Sequence, residues 1–373
     1  MAKNFVFVVG AGASKEFGLP TGKELLQQIS NLARIDSGSG NSTYHFLSPI
    51  KEEISELAQD LEGSSRTHSS IELRRMHLEE KACWLAAIAN LAPSIDNVLH
   101  THKGDPEVTA LGKLMIAHCL VTAEHASLIA NRELQLNHQS IFPFVKNIGG
   151  SHRYVSETWL GELFRLLVEL RTFEEFLSQL KRITFISFNY DRCIHQFIAS
   201  CARLYFQLDD EKSRLVLSTI NVIYPYGSLG DLTINQDVVF GFGSLELKTS
   251  IVAKRIKTFT ESIDEGDIRE KLHFSFENAT DVFFLGFGFL NLNMRVLFAD
   301  HRYDVSNVYG THLGFSESSA KLIRKDIEKR LLWGKQNPEI VSVFETNGEA
   351  SNIRLEDVTC TELLKRHHFL LRS

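Results

Sequence analysis

The chain lacks paired cysteines. Its five cysteines fall at Cys83, Cys119, Cys193, Cys201 and Cys360, and no two of them form C-x-x-C. That argues against a structural zinc knuckle, so no metal and no zinc are expected; the odd number and wide spacing suit a reducing cytoplasm. Long apolar runs are missing too. No segment approaches a membrane span, and the N-terminal apolar run, residues 5–9, is too short for a secretory signal. Positive charge is not in excess: 40 Lys and Arg face 46 Asp and Glu, a formal charge of −6. There is then no general attraction to nucleic acid, and no direct nucleic-acid binding is expected. Repeats and low-complexity tracts are absent. A hydrophobic content of 43% with 23% charged residues is normal for a packed soluble protein, and with the cysteine pattern a cytoplasmic location is expected. A length of 373 residues admits two domains, or one α/β domain with a large insertion.

The stretch around which the chain is organised is FVFVVGAGASKEFGLPTG, residues 5–22. Its β-branched and aromatic start reads as a strand covered on both faces. Gly10-Ala11-Gly12-Ala13-Ser14 follows, a loop small enough for a ligand to approach the backbone. Residues 14–17 can form one helical turn whose free N–H groups would hold an anion such as pyrophosphate. Gly18-Leu19-Pro20 breaks that turn, and Thr21 with Glu24 forms a capping box for the next helix. The third glycine comes too late for G-x-G-x-x-G, and no second strand ending in an acid follows. A hydride-transferring enzyme is disfavoured.

Residues 31–181 are mostly helical. Helical periodicity covers 23–33, 50–61, 71–92 and 107–131, with 82–89 apolar all round and hence expected to be buried. Residues 96–106 are a loop or short helix, 133–153 irregular, and 156–181 two helices, the second opened by a Thr172/Glu175 capping box. From residue 182 the rhythm changes. Strands are expected at 183–188, 215–224, 238–240, 281–285, 305–309 and 340–344, and helices at 191–205, 251–276, 292–301 and 318–333. Such alternation means an open, mostly parallel sheet. The expected organisation is an α/β domain of residues 1–30 and 182–345, a helical insertion of 31–181 after the first strand, and a C-terminal helical tail of 346–373.

Ligands of such sheets sit beyond the carboxyl ends of the strands. Four loops fall there: the glycine loop; Ser187-Phe188-Asn189-Tyr190-Asp191; Tyr224-Pro225-Tyr226-Gly227-Ser228-Leu229-Gly230; and Gly286-Phe287-Gly288-Phe289-Leu290-Asn291-Leu292-Asn293. Singly each has an ordinary explanation. Asn189 and Asp191 can cap a helix, Gly227 and Gly230 can be turn glycines, and Gly286 and Gly288 can serve close packing.

In this order and spacing the four blocks resemble the sirtuin (silent information regulator) superfamily, and within it the zinc-free, sirtuin-like branch of bacterial anti-phage defence proteins. The resemblance covers about residues 4–310, the insertion being least diagnostic. It implies a Rossmann-like domain that takes NAD⁺ as substrate and cuts the nicotinamide–ribose bond. By resemblance, Gly10, Ala11, Gly12, Ala13 and Ser14 hold the pyrophosphate, with Gly18, Leu19, Pro20, Ser187, Gly227 and Ser228 also in the binding blocks. Asn189 orients a water or hydroxyl at the reacting ribose, Asp191 holds the nicotinamide carboxamide, and Gly286, Gly288 and Asn293 lie along the adenosine.

The chain departs from the family in two ways. It has no zinc cysteines, which disfavours protein deacylation. It also carries Tyr226 where the family has a histidine acting as general base, and a phenol with a pKa near 10 is a poor base at neutral pH. Tyr224 is the alternative if the alignment slips. His195 lies one turn after Asp191 and is read as a partly buried helix residue that could instead look back into the site. His100, His102 and His152 cannot be placed, and His118 with His125 reads as one helical face rather than a metal site. The resemblance further implies an NAD⁺-depleting defence effector, a homo-oligomer or a subunit beside a HerA-type ATPase or a short Argonaute. Such contacts are expected on the insertion and the charged C-terminal helices. The other readings are a catalytically inactive NAD- or ADP-ribose-binding sensor, and ADP-ribosyl transfer.

Overall fold

The computed structural model describes residues 3–37, 44–62, 67–130, 145–148, 151–232, 241–244, 248–259, 261, 266–299, 301–332 and 352–368. Six strands make the main sheet: β1 Phe5–Val9, β2 Ile183–Ser187, β3 Asn221–Ile223, β4 Asp281–Leu285, β5 Asn307–Thr311 and β6 Ile353–Glu356. Their order is β3-β2-β1-β4-β5-β6, and every pairing is parallel. This is the doubly wound, Rossmann-like arrangement, in which the winding reverses between β1 and β4.

Residue alternation explains why β1 is central. Val6 and Val8 point into one hydrophobic cluster with Ile186, Val282 and Phe284. Phe5, Phe7 and Val9 point into the other with Phe185, Phe283 and Leu285. In register, Phe7 lies between Phe185 and Phe283, stacking on Phe283 at 4.8 Å. Helices cover both faces. The Val6/Val8 cluster continues through Ile54, Leu78, Leu85, Leu111 and Met115 of the insertion. The Phe7 cluster takes in the helices Trp159–Val168, Phe173–Leu180, Cys193–Tyr205 and Cys360–Arg366.

The insertion is largely helical, with helices Lys51–Glu62, His68–Ala89, Ile95–Thr101 and Pro106–Ala126. It also holds two antiparallel ribbons, Arg34–Ser37 with Tyr44–Leu47 and Val145–Ile148 with Ser151–Tyr154, the second within a stretch read as irregular. Both expected capping boxes form, at Thr21/Glu24 and Thr172/Glu175. Residues 82–89 are not wholly buried: Trp84 is 40% exposed and meets His102 edge-on.

Two strand assignments change. Residues 215–219 belong to a helix, Asp210–Thr219, whose cap Asp209 accepts from the Lys212 N–H at 2.8 Å; only Asn221–Ile223 is strand. The apolar alternation there misleads, because Ser213, Val216 and Ile220 are the buried face at helical spacing while Leu215 is 47% exposed. The C-terminal segment is not simply a helical tail. Ile353 and Leu355 are buried and Arg354 is exposed, a period-2 pattern that adds β6 beside β5 before the short helix Cys360–Arg366. The strands expected at 238–240 and 340–344 lie outside the described residues. Among those residues no helix is long and apolar enough to cross a membrane, and no group of three His, Cys, Asp or Glu side chains could hold a metal ion.

Candidate functional site

A cleft of about 590 Å³ opens at the carboxyl ends of β1 and β4, where the winding reverses. This is where an open α/β sheet leaves a crevice between loops that diverge to opposite faces. The chain after β1 makes a helical turn, Ala11–Ser14, and a 3₁₀ turn, Lys15–Phe17, and stops at Gly18 with φ +90°. Only glycine adopts that left-handed stop without strain.

The glycine loop and the loop after β4 lock together. The Gly10 N–H donates to Leu285 O at 2.9 Å and the Gly12 N–H to Gly286 O at 3.0 Å. A Cβ on Gly10 would lie 2.5 Å from Gly286 O, and one on Gly12 2.8 Å from Gly286 Cα. Gly286 has φ +57°, and its Cβ would lie 2.1 Å from Ala13 N. These three glycines therefore serve close backbone packing. Because the Gly12 N–H is already bonded, the loop offers an anion fewer donors than its composition suggests. Gly288 differs. A Cβ there would meet only Leu290 Cγ at 3.9 Å, so its missing side chain leaves the cleft open.

The second loop is fastened to the first through Ser14, which is 5% exposed. Asn189 Nδ2 donates to Gly10 O at 3.0 Å and to Ser14 Oγ at 2.8 Å. A backbone carbonyl only accepts, so the atom beside Gly10 O is the amide nitrogen, and both its hydrogens are used. Asn189 Oδ1 is left as an acceptor in the cleft wall. The Ser14 hydroxyl donates to Asp191 Oδ2 at 2.7 Å, and Asp191 Oδ1 accepts from the Cys193 N–H at 3.1 Å. Asp191 thus starts the following helix as well as lining the cleft, and Ser187 Oγ accepts from the Asn189 N–H at 3.3 Å. Beneath them lies a fully buried ion pair. Glu124 of the insertion accepts from the Arg192 backbone N–H at 3.0 Å and Nε at 3.1 Å, with Nη2 on its other oxygen.

Gly10, Ala11, Gly12, Leu19, Pro20, Asn189, Asp191, Gly286, Gly288 and Asn293 line this one cleft. Ser14, Ala13 and Ser187 stand directly behind it, while Gly18 opens toward a neighbouring surface groove. The third block does not take part as expected. Tyr226 is 2% exposed, packs edge-on against Phe188 at 5.6 Å, and donates its hydroxyl to Asn293 Oδ1 at 2.9 Å. Burial pushes its phenol further up. It supports the wall from behind.

Gly227, with φ +75°, turns against Arg255 O, and Ser228 lines a separate cavity with Tyr224 and His195. There His195 Nδ1 lies 3.3 Å from the Tyr224 hydroxyl, and burial lowers the imidazole pKa to about 4. Neither Tyr224 nor His195 reaches the cleft. His100 packs edge-on against Phe259 and His125 Nδ1 lies 2.7 Å from Gly243 O. Among the described residues, no histidine lines the cleft.

Other contributors were not singled out by sequence. Ser94, Ile95 and Asp96 come from the insertion, Thr311 ends β5 with Leu313 and Phe315 after it, and Val358, Thr359 and Cys360 follow β6. Glu16 of the glycine turn accepts from the Trp159 N–H at 2.7 Å, the Thr361 N–H at 3.0 Å and the Thr361 hydroxyl. It therefore pins two helix N-termini to the loop, where a carboxylate is favourable. The only sequence signal for Asp96 is an acid just after a Ser94 cap.

No family model matches the chain, and no curated protein is significantly similar to it. The functional reading therefore rests on the site itself and on the four sequence blocks.

Proposed function

We propose that the protein is a sirtuin-like NAD⁺ hydrolase that releases nicotinamide and ADP-ribose. The observation that carries this reading is the convergence of three separate loops on one cleft, two joined by the Gly10–Asn189–Ser14–Asp191 hydrogen-bond chain and the third by the Gly12 N–H on Gly286 O. A volume of about 590 Å³ falls in the range of small-molecule sites. Nicotinamide leaves as a neutral molecule from a cationic ring, so the reaction needs positioning and dipoles more than strong acid catalysis. Its transition state is oxocarbenium-like, as in glycoside hydrolysis. Asn189 Oδ1 accepts a hydrogen bond from the attacking water and turns a lone pair toward the anomeric carbon. Asp191, fixed by Ser14 and the Cys193 N–H, takes the carboxamide N–H₂.

A second reading is favoured by the sealed Tyr226 and the absence of a cleft histidine among the described residues: a nucleotide-binding sensor subunit that does no chemistry. The sequence blocks extend the first reading to NAD⁺ depletion in anti-phage defence, as an oligomer or with a HerA-type ATPase. Incubation of purified protein with NAD⁺, alone and with its genomic neighbour, separates these. Nicotinamide and ADP-ribose released by the wild type and lost in Asn189→Ala support hydrolysis. Binding without product supports the sensor, and ADP-ribose attached to protein supports transfer.

A further inference from the structure

With Tyr226 behind the wall, a base for the attacking water is to be sought among the groups lining the cleft, and among the described residues three carboxylates do so. Glu16 is spent: its two oxygens hold the Trp159 N–H, the Thr361 N–H and the Thr361 hydroxyl. Asp191 is held by the Ser14 hydroxyl and the Cys193 N–H, and on the hydrolase reading its remaining lone pairs take the carboxamide. Asp96 is different. Its carboxylate accepts from the Tyr190 hydroxyl, at 2.7 Å on Oδ1, and from its own backbone N–H, and among the described residues no second side chain holds it. Tyr190 stands between Asn189 and Asp191 in the chain and lines the same cleft.

We infer that Asp96, delivered by the helical insertion and aimed by Tyr190, is the general base of the cleft. The inference rests on the NAD⁺ hydrolase reading. A base whose orientation is set by a third group is the usual arrangement of an activated nucleophile. The step balances. The water oxygen bonds to the anomeric carbon as the carbon–nitrogen bond breaks, and the bonding pair neutralises the pyridinium nitrogen of departing nicotinamide. The water proton passes to Asp96 Oδ2 and then to solvent.

The surroundings suit the role. Burial raises the Asp96 pKa from its ordinary value, and the Tyr190 hydrogen bond partly offsets this. A carboxylate tuned upward is a better base near neutral pH, provided it remains ionised. Titratable groups about it include the Tyr190 and Tyr226 phenols, both pushed up by burial, Glu261 nearer Tyr190, whose carboxylate Lys113 holds down against burial, and Asp191, Glu16 and Lys15 on the walls of the same cleft. The arrangement also makes the insertion part of the active site: the α/β domain alone would hold the dinucleotide without its base.

The test measures kcat, KM and the pH profile of NAD⁺ hydrolysis for the wild type, Asp96→Asn, Tyr190→Phe and Asn189→Ala, with NAD⁺ binding by calorimetry. Asp96→Asn is expected to lower kcat by about 10²–10⁴-fold, the usual contribution of a general base, with binding within about threefold of wild type and the acid limb of the profile gone. Tyr190→Phe, which keeps the carboxylate but removes its donor, is expected to move that acid limb to higher pH. Asp96→Asn with wild-type kcat and an intact acid limb, while Asn189→Ala is inactive, overturns the role of Asp96 and leaves the hydrolase reading standing. Loss of binding in Asp96→Asn also overturns it, since the residue would then act in holding the dinucleotide. Should Asp96→Asn not fold, an unmoved acid limb in Tyr190→Phe has the same force. A wild type that binds NAD⁺ and never turns it over removes the hydrolase reading, and the role of Asp96 goes with it.

Discussion

Replacing Gly286 with alanine tests the geometry on which the site depends. The new Cβ would lie 2.1 Å from Ala13 N and 2.4 Å from Gly12 C, and φ there is +57°. Left-handed backbone costs a non-glycine residue about 1–2 kcal/mol. Forcing an extra carbon into a packed position costs about 1–3 kcal/mol more. The clash is with backbone on a loop that follows the central strand, so no rotamer change relieves it. The expected loss is therefore about 2–5 kcal/mol, read as a lower denaturation midpoint by far-UV circular dichroism at unchanged slope. Loop displacement also moves Ser14, so dinucleotide binding should fall by at least about tenfold, the factor that 1.4 kcal/mol represents. Gly104→Ala is the control: nothing lies within 4 Å of its Cβ and its φ is not positive, so a gain of about 0.4–1 kcal/mol is expected. Gly286→Ala with wild-type midpoint and wild-type binding would refute the close approach of the two loops.

Further outcomes follow from the same contacts. Gly288→Leu should fold with near wild-type stability, because its Cβ points into open space, yet weaken NAD⁺ binding by about tenfold or more in calorimetry. Tyr226→Phe removes one hydrogen bond, to Asn293, and should cost about 1–3 kcal/mol in denaturation while leaving kcat within a few fold; a loss of a hundredfold or more would restore Tyr226 to catalysis. Glu124→Ala strands the buried Arg192 charge and should destabilise by about 3–5 kcal/mol, with a smaller penalty for a double change to paired apolar residues. His195 titrates at about 4 when folded and near 6.5 when unfolded. The unfolded chain then binds more protons between those values, so stability falls as pH drops from about 6.5 to 4, by up to about 3 kcal/mol, and His195→Phe should flatten that slope in pH-dependent denaturation.

Local signals were sufficient wherever the relevant physics is local. The covered strand Phe5–Val9 and the capping boxes at Thr21/Glu24 and Thr172/Glu175 form as the residues predict. So do the break at Gly18 and the strand Asp281–Leu285, because a side-chain pattern of a few residues is enough for each. Asn189 and Asp191 were identifiable as a pair at a strand end, and they stand where that pattern put them. Residues 215–219 misled because alternating leucines mimic a strand while the Asp209 cap and the spacing of Ser213, Val216 and Ile220 favour a helix. The C-terminal strand was missed because Ile353–Glu356 is short and owes its place to pairing with β5.

What the sequence by itself determined is the central covered strands Phe5–Val9, Ile183–Ser187 and Asp281–Leu285, the helix starts at Thr21 and Thr172, and the ordered blocks at strand ends. Each of these is decided by interactions between residues a few positions apart. Only the tertiary structure decided that Gly12 spends its N–H on Gly286, that Tyr226 stands behind the wall rather than in it, and that Asp96 reaches the cleft from the insertion. Those outcomes depend on approaches between residues far apart in the chain, 67 positions for Tyr226 with Asn293 and 94 for Asp96 with Tyr190. Such approaches are set by the packing of sheet and helices as a whole, and no window along the chain contains them.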